Sequence, residues 1–372
     1  MSGDDWLEDL QDYQGSPQTR SNLLIPGISY FNWAGLAPLR WQAWMMSLFA
    51  HELAGNIWLP KLADLSQRLK NKVAKWIGCT PNQIAFVPST SLALHQVALA
   101  IPWTRGDRII YPLHDFPANI IPWQKLEREG VTAQGVDYFK PVFPSDTKLM
   151  TISTVDFSTG SEQPWREMVN EAHRLGIWTC VDAIQSAGIK SSWIPEIDFW
   201  CSGVQKWLVS GLGLAILIVS ERALKELTPR LISWLALYDP PRLESGIVQD
   251  CLAWEMGWVS PQALVRLHTN LDFFERYGWE VISQEVKRRR DKIHEGLLEM
   301  GWEVVSSAVN WSGIISLKPP DHLSVKEIVQ DGYQHKIITA ERGKYLRLAV
   351  HIFNSEREIA KILRWLRQWR SK

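Results

Sequence analysis

From about residue 60 to residue 220 short apolar runs alternate with amphipathic stretches. IAFV at 84–87 predicts a strand, and the stretch 92–100 a helix. RIIY at 108–111 predicts a second strand, followed by a helix over 121–129 that stops before Gly130. LMTISTV at 149–155 is strand-like, and 165–175 predicts a helix with Pro164 at its start and Gly176 past its end. IWTCVD at 177–182, DFWCS at 198–202 and LAILIV at 214–219 predict three more strands, the last apolar throughout and hence fully buried. Strands alternating with helices need crossover connections, which makes the sheet mostly parallel. Ligands of such sheets gather at the carboxyl ends of the strands.

Beyond about residue 258 the pattern changes. Helical periodicity over 261–276 and 280–299 precedes the strand-like runs WEVVS (302–306) and GIISL (313–317). A short helix, KIITA (336–340), YLRLAV (345–350) and a closing helix over 355–369 follow. The expected fold class is α/β: a large domain with a mostly parallel sheet between helices, plus a smaller C-terminal α+β domain. The expected division is 26–258 for the large domain and 259–372 for the small one, with residues 1–25 packing on the latter. A chain of 372 residues suits two cores better than one.

Composition narrows the function. Forty Lys and Arg balance forty Asp and Glu, so no net charge draws the chain to nucleic acid or an anionic membrane. The longest apolar run, 207–219, is too short to span a bilayer and is broken by glycines. Cys79, Cys180, Cys201 and Cys251 are far apart and form no CxxC pair, which predicts reduced, mostly buried thiols. The opening MSGDDWLEDLQD is acidic and lacks an apolar stretch, unlike a signal peptide, so a cytoplasmic location is expected. Twenty-one tryptophans spread from Trp6 to Trp369, with no basic patch around them, predict core filling rather than a base-stacking surface.

Three short stretches carry candidate chemistry. STS at 89–91 follows a strand and opens a helix, where backbone N–H groups and hydroxyls suit a phosphate; an ordinary N-cap would look the same. In VDAIQSAG (181–188), Asp182 ends a buried strand, a costly place for a carboxylate without a cation, and Gln185 is within reach of the same space. Lys206 follows the strand DFWCS among apolar Val204, Trp207 and Leu208, where an amine loses proton affinity and can form an imine; a snorkelling lysine is the competing reading. Together they supply a phosphate site, a carboxylate for a ring nitrogen and an imine-forming amine, which is what pyridoxal 5′-phosphate (PLP) requires. His51-Glu52 lacks the second histidine of a zinc helix, the nine histidines show no ligand spacing, and GLG at 211–213 precedes its strand instead of following it. No metal site is expected.

At these residues the chain resembles the class V aminotransferase superfamily of fold-type I PLP enzymes, which includes cysteine desulfurases, kynureninases and C–S lyases. YFNWAGLAPL (30–39), FVPSTSLALHQVA (86–98), FPANIIPW (116–123), VDFSTG (155–160), VDAIQSAG, SGVQKW (202–207), WEMG (254–257) and YLRLAVHIFNSEREI (345–359) carry the resemblance. It implies that Lys206 is the catalytic Schiff-base lysine, Asp182 the partner of the pyridinium nitrogen and Gln185 a donor to the phenolic oxygen. It makes Thr90 and Ser91 phosphate ligands, Phe116 the ring-stacking residue, and Arg347 the clamp on the substrate's α-carboxylate, with Asn32 and Gly35 lining the substrate end. A small amino-acid substrate and a homodimer with the site at the subunit interface are implied as well.

The sequence departs from the family at three points. Gln205 stands where a phosphate-contacting histidine is usual, and its amide can still donate. Trp258 stands where a threonine usually reaches the partner subunit's phosphate. Residues 336–346 lack the nucleophilic cysteine of desulfurases, which argues against persulfide chemistry. By analogy with the family, the resemblance favours β-elimination or C–S lyase-type chemistry over transamination, and a PLP-fold binding protein without catalysis is the reading from another class.

Overall fold

The computed structural model describes Leu23, Ile25 and residues 27–52, 58–137, 143–239 and 242–371. The expected packing of residues 1–25 falls almost wholly outside them. The chain opens with β1 (Ser29–Tyr30), α1 (Trp41–Glu52) and α2 (Trp58–Ile77). Then come β2 (Ile84–Val87), α3 (Thr90–Ala100), β3 (Arg108–Pro112), α4 (Ile121–Lys125), β4 (Thr132–Val136) and β5 (Thr147–Ser153). They are followed by α5 (Trp165–Arg174), β6 (Trp178–Asp182), β7 (Phe199–Gly203), β8 (Ala215–Val219) and α6 (Glu221–Glu226). The remainder comprises α7 (Pro261–Tyr277), α8 (Trp279–Glu299), β9 (Glu303–Val304), β10 (Ile314–Lys318), α9 (Val325–Gln334), β11 (Ile337–Ile338), β12 (Ala340–Arg342), β13 (Tyr345–Ala349) and α10 (Glu356–Arg370).

Seven strands form the main sheet in the order β2-β8-β7-β6-β5-β3-β4. Only β8 runs antiparallel to its neighbours, so the other six strands share one direction and end at one edge. Strands β6, β7 and β8 are buried along their whole length, which explains why they are mostly apolar and β8 wholly so. β4 (TAQGV) escapes sequence detection because it is a partly exposed edge strand with one strongly apolar residue. Side chains alternate across the sheet: Ile84, Phe86, Val181, Trp200 and Ile216 face one core, and Ala85, Val87, Cys180, Phe199 and Leu217 the other. Fully buried Trp33, Trp123, Trp165, Trp200, Trp207 and Trp254 fill these layers, as core-filling tryptophans should.

A second sheet, β12-β13-β10-β9, is antiparallel throughout. It packs with α8, α9 and α10 around Ile293, Ile315, Leu348, Ile359 and Trp365. Serine caps start α3, α6, α7, α9 and α10, each hydroxyl accepting from a backbone N–H of the first turn, and Glu358 completes a capping box with Ser355. Two apolar runs behave differently from their pattern. β9 is only two residues long because Ser316 N–H is taken by the Ser306 hydroxyl at 2.7 Å instead of a strand carbonyl. KIITA splits into β11, which pairs with β1, and β12, which pairs with β13, so one run serves two sheets.

Candidate cofactor and substrate site

The sheet register decides which loops meet. Ser153, Asp182 and Cys201 lie side by side across β5, β6 and β7, while Val87 and Gly203 flank Ala215 across β2, β8 and β7. The segments after β2, β3, β5, β6 and β7 therefore open on one edge, and they carry Thr90, Phe116, Phe157, Gln185 and Lys206.

Lys206 sits in a tight turn fixed from three sides. Ser210 N–H donates to Val204 O at 3.0 Å, Ala37 N–H to Gln205 O at 2.8 Å, and His351 Nε2 contacts Trp207 O at 3.0 Å. The turn holds Val209 at φ 55°, a left-handed conformation that is strained for a β-branched residue. Trp207 Nε1 donates to Gln185 Oε1 at 3.2 Å, which couples the lysine turn to the Asp182 loop. Lys206 Nζ lies 5.8 Å from the Phe116 ring centroid, and that ring stands edge-to-face against Phe157 at 5.4 Å.

Charge is concentrated around this amine. Burial pulls Lys206 down to about 8; Asp182 and Asp115 act to raise it, and Arg347 and Arg342 to lower it. Asp182, almost wholly buried, is pushed up to about 7 by burial and by Asp115, against the Ile184 N–H at 2.9 Å and Lys206. Arg347 is 1% exposed, and no carboxylate among the described residues pairs with it. Its Nη1 donates to Phe157 O at 2.7 Å and its Nη2 to Asn32 Oδ1 at 3.3 Å, while its Nε is buried without a partner. Burial and Arg342 draw it down to about 9, so it keeps its charge at neutral pH. A buried guanidinium without a carboxylate is a receptor for an anion.

The other expected residues fall around this centre. Asn32 bridges to Ala349 and accepts from Arg347, and Gly35 folds tightly under it: a Cβ there would meet Asn32 Oδ1 at 2.7 Å. Gln185 Nε2 donates to Ala34 O at 3.2 Å, which leaves its second N–H available. At the start of α3, Ser89 is the N-cap, Thr90 is buried with its hydroxyl unpartnered, and Ser91 is exposed. An orphaned buried hydroxyl at a helix start fits a phosphate. The Gln205 side chain folds back over Gly203, where any Cβ would collide with it. Trp258 stands edge-to-face against Trp234 at 6.4 Å, with its indole N–H buried and unpartnered.

Sequence patterns did not single out Asp115, Asn119, Ser153, Arg342 or His351. Asp115 directly precedes Phe116 after β3, so its place just past a strand end was the available signal. Arg342 shares one face of the β12–β13 ladder with Arg347, since Ala340 pairs with Arg347 and Arg342 with Tyr345.

Residues 60–324 match the model of the family described as Aminotransferase class-V. The chain belongs to the class V aminotransferase family. This is a family of PLP-dependent enzymes, transferases and lyases, as the sequence motifs implied. A probable cysteine desulfurase of Methanothermobacter thermautotrophicus is 24% identical over 324 residues, 79% of this chain and 80% of that one. The isopenicillin N epimerase of Streptomyces clavuligerus is 25% identical over 201 residues, 49% of this chain and 50% of its own. Among solved structures, a C-DES variant with glycine covalently linked to its PLP cofactor superposes with a TM-score of 0.86 at 20% identity, over 92% of this chain and 97% of that one. The apo cysteine desulfurase of Thermococcus onnurineus NA1 superposes with a TM-score of 0.85 at 18% identity, over 96% and 98%. At these identities the structural likeness carries the fold, a large α/β layer with a smaller C-terminal α+β part.

Proposed function

We propose that this class V aminotransferase family member binds PLP through Lys206 and acts on an α-amino acid. The juxtaposition of Lys206, drawn down to about 8, with the buried carboxylate of Asp182 carries the reading. When bound, PLP supplies an aldehyde for the substrate amine and an electron-withdrawing ring that eases bond breaking at Cα. Asp182 would pair with the ring nitrogen and favour its protonated form. Thr90 and Ser91, with the amide of Gln205, hold the phosphate at the start of α3. The second N–H of Gln185 would donate to the phenolic oxygen, and Phe116 would stack on the ring. Arg347, set by Phe157 and Asn32, binds the substrate carboxylate at the Gly35 end. Lys206 would hold the cofactor's aldehyde carbon, and its amine would be the group placed to move protons at the substrate's Cα and leaving group.

Within this class the reading favours β-elimination of a sulfur leaving group over persulfide transfer. No cysteine lies between residues 336 and 346. Burial raises Cys251 well above the usual thiol range and Cys79 to about 12, and Cys180, beside it in the sheet, raises Cys201, so these thiols are poor nucleophiles. The same proposal includes a homodimer whose interface borders the site, and a division of the chain near residue 258. The separate sheet and core of the C-terminal part support that division, although the buried face of α7 joins the core of the large sheet. The test is to incubate the PLP-loaded protein with cysteine and with cystine, and to measure sulfur release and keto acid together. Equal yields, undiminished when all four cysteines are replaced by alanine or serine, support elimination. Sulfur release without keto acid, lost in the cysteine-free protein, overturns it.

A further inference from the structure

Asp115 lies at the start of the loop between β3 and α4, and every hydrogen bond to its carboxylate comes from a neutral group. Phe116 N–H donates to Oδ1 at 2.6 Å, while Asn119 Nδ2 donates to Oδ2 at 2.8 Å and the Ser153 hydroxyl to the same oxygen at 2.5 Å. The orientation of Asn119 is settled by its other side: Oδ1 accepts from the Thr151 hydroxyl at 2.6 Å and from Trp123 Nε1 at 3.2 Å. The amide nitrogen must therefore face Asp115, and Asp115 must accept. Three donors converging on two oxygens fix the carboxyl in place and favour its charged form, while burial and the neighbouring Asp156 push its pKa up.

This clamp acts on two parts of the site. It grips the backbone of Phe116, whose ring lies 5.8 Å from Lys206 Nζ and is braced from the side by Phe157. Phe157 O in turn takes the Nη1 bond of Arg347, so one connected chain of contacts runs from Asp115 to the guanidinium. The carboxylate also adds a negative charge to the field at Lys206, which otherwise feels Asp182, Arg347 and Arg342; Asp115 itself feels Asp156.

We propose that Asp115 is a positioning residue of the site: it fixes the Phe116 ring over Lys206 and supplies negative charge that holds a proton on the Lys206 nitrogen. The inference rests on the reading of Lys206 as the PLP-bearing lysine. Its test uses the PLP-loaded protein and Asp115→Asn, Asp115→Glu and Ser153→Ala variants. The readout is the pH dependence of the visible absorbance of bound cofactor. Asp115→Asn removes the charge and keeps the size, so the spectral midpoint should fall by about one pH unit. Asp115→Glu should return it towards the parent, and Ser153→Ala, which leaves the backbone clamp intact, should move it less. In steady state, Asp115→Asn should lower kcat more than it raises KM, because the substrate clamp at Arg347 is intact. A midpoint within 0.2 pH units of the parent in Asp115→Asn, or in Asp115→Ser if the first variant does not fold, overturns the proposal. If the parent shows no visible band with PLP, the PLP reading itself has failed. The pH dependence of amine labelling at Lys206 in the apo protein then decides the role of Asp115: a midpoint lowered in Asp115→Asn upholds the charge effect, and an unchanged one refutes it.

Discussion

Replacing Arg347 by lysine isolates the fork of the guanidinium from its charge. Arg347 spends Nη1 on Phe157 O and Nη2 on Asn32 Oδ1, at 2.7 and 3.3 Å, and has no carboxylate neighbour among the described residues. About three of its five N–H groups, the orphaned Nε among them, remain for an incoming anion. Lysine keeps one charge but offers a single point donor on a shorter reach. Losing one charge-assisted hydrogen bond costs about 1.5–3 kcal/mol, or roughly 10–100-fold in affinity. The assay follows the cofactor spectrum during titration with an amino acid and, in parallel, with the amine that lacks its α-carboxylate. The amino acid should lose about 10–100-fold in affinity in Arg347→Lys, while the amine changes less than about twofold. Equal losses for both ligands would mean that Arg347 shapes the pocket without touching the carboxylate. An unchanged amino-acid affinity would remove it from the substrate site.

Further predictions follow from other groups. Thr90→Val should weaken PLP by about tenfold, the value of one hydrogen bond to a charged group, and leave the phosphate-free pyridoxal unchanged, as equilibrium dialysis can show; equal losses would take Thr90 off the phosphate. In the apo protein, labelling of Lys206 by an amine-selective reagent should rise with pH about a midpoint near 8, because only the neutral amine reacts and burial disfavours its charged form. A midpoint near 10.4, the ordinary lysine value, would show that the pocket does not depress it. Gly35→Ala places a Cβ 2.7 Å from Asn32 Oδ1, so it should disturb the Asn32–Arg347 contact and raise KM with cofactor loading kept; loss of loading with KM unchanged would contradict that.

The main sheet was legible because its central strands are buried on both faces and therefore read as mostly apolar runs. β4 was not, being a partly exposed edge, and α1 (WQAWMMSLFAHE) has too few polar positions to show a helical face. KIITA read as one strand, yet Ile337 and Ile338 pair with β1 while Ala340 pairs with β13, so the demands of two sheets divide it at Thr339. Lys206, Asp182 and Gln185 could be named from sequence because each ends or follows a strand that the pattern finds. Asp115 could not, because its meaning depends on Ser153, 38 residues away, and on Asn119 being turned by Thr151 and Trp123. That Arg347 lacks a carboxylate partner is likewise a fact of packing: Ser316 and Ala340 flank it across β10 and β12, and neither carries charge. Trp258 replaces an expected threonine, and its orphaned indole N–H beside Trp234 is visible only in three dimensions.

The central claim concerns one covalent bond. The protein is loaded with PLP, reduced with borohydride, digested, and mapped by mass spectrometry. The account predicts loss of the visible band on reduction and the mass of reduced cofactor on the peptide containing Lys206, with no such adduct in Lys206→Ala. Cofactor fixed to another lysine, or a protein whose spectrum ignores added PLP, would contradict it.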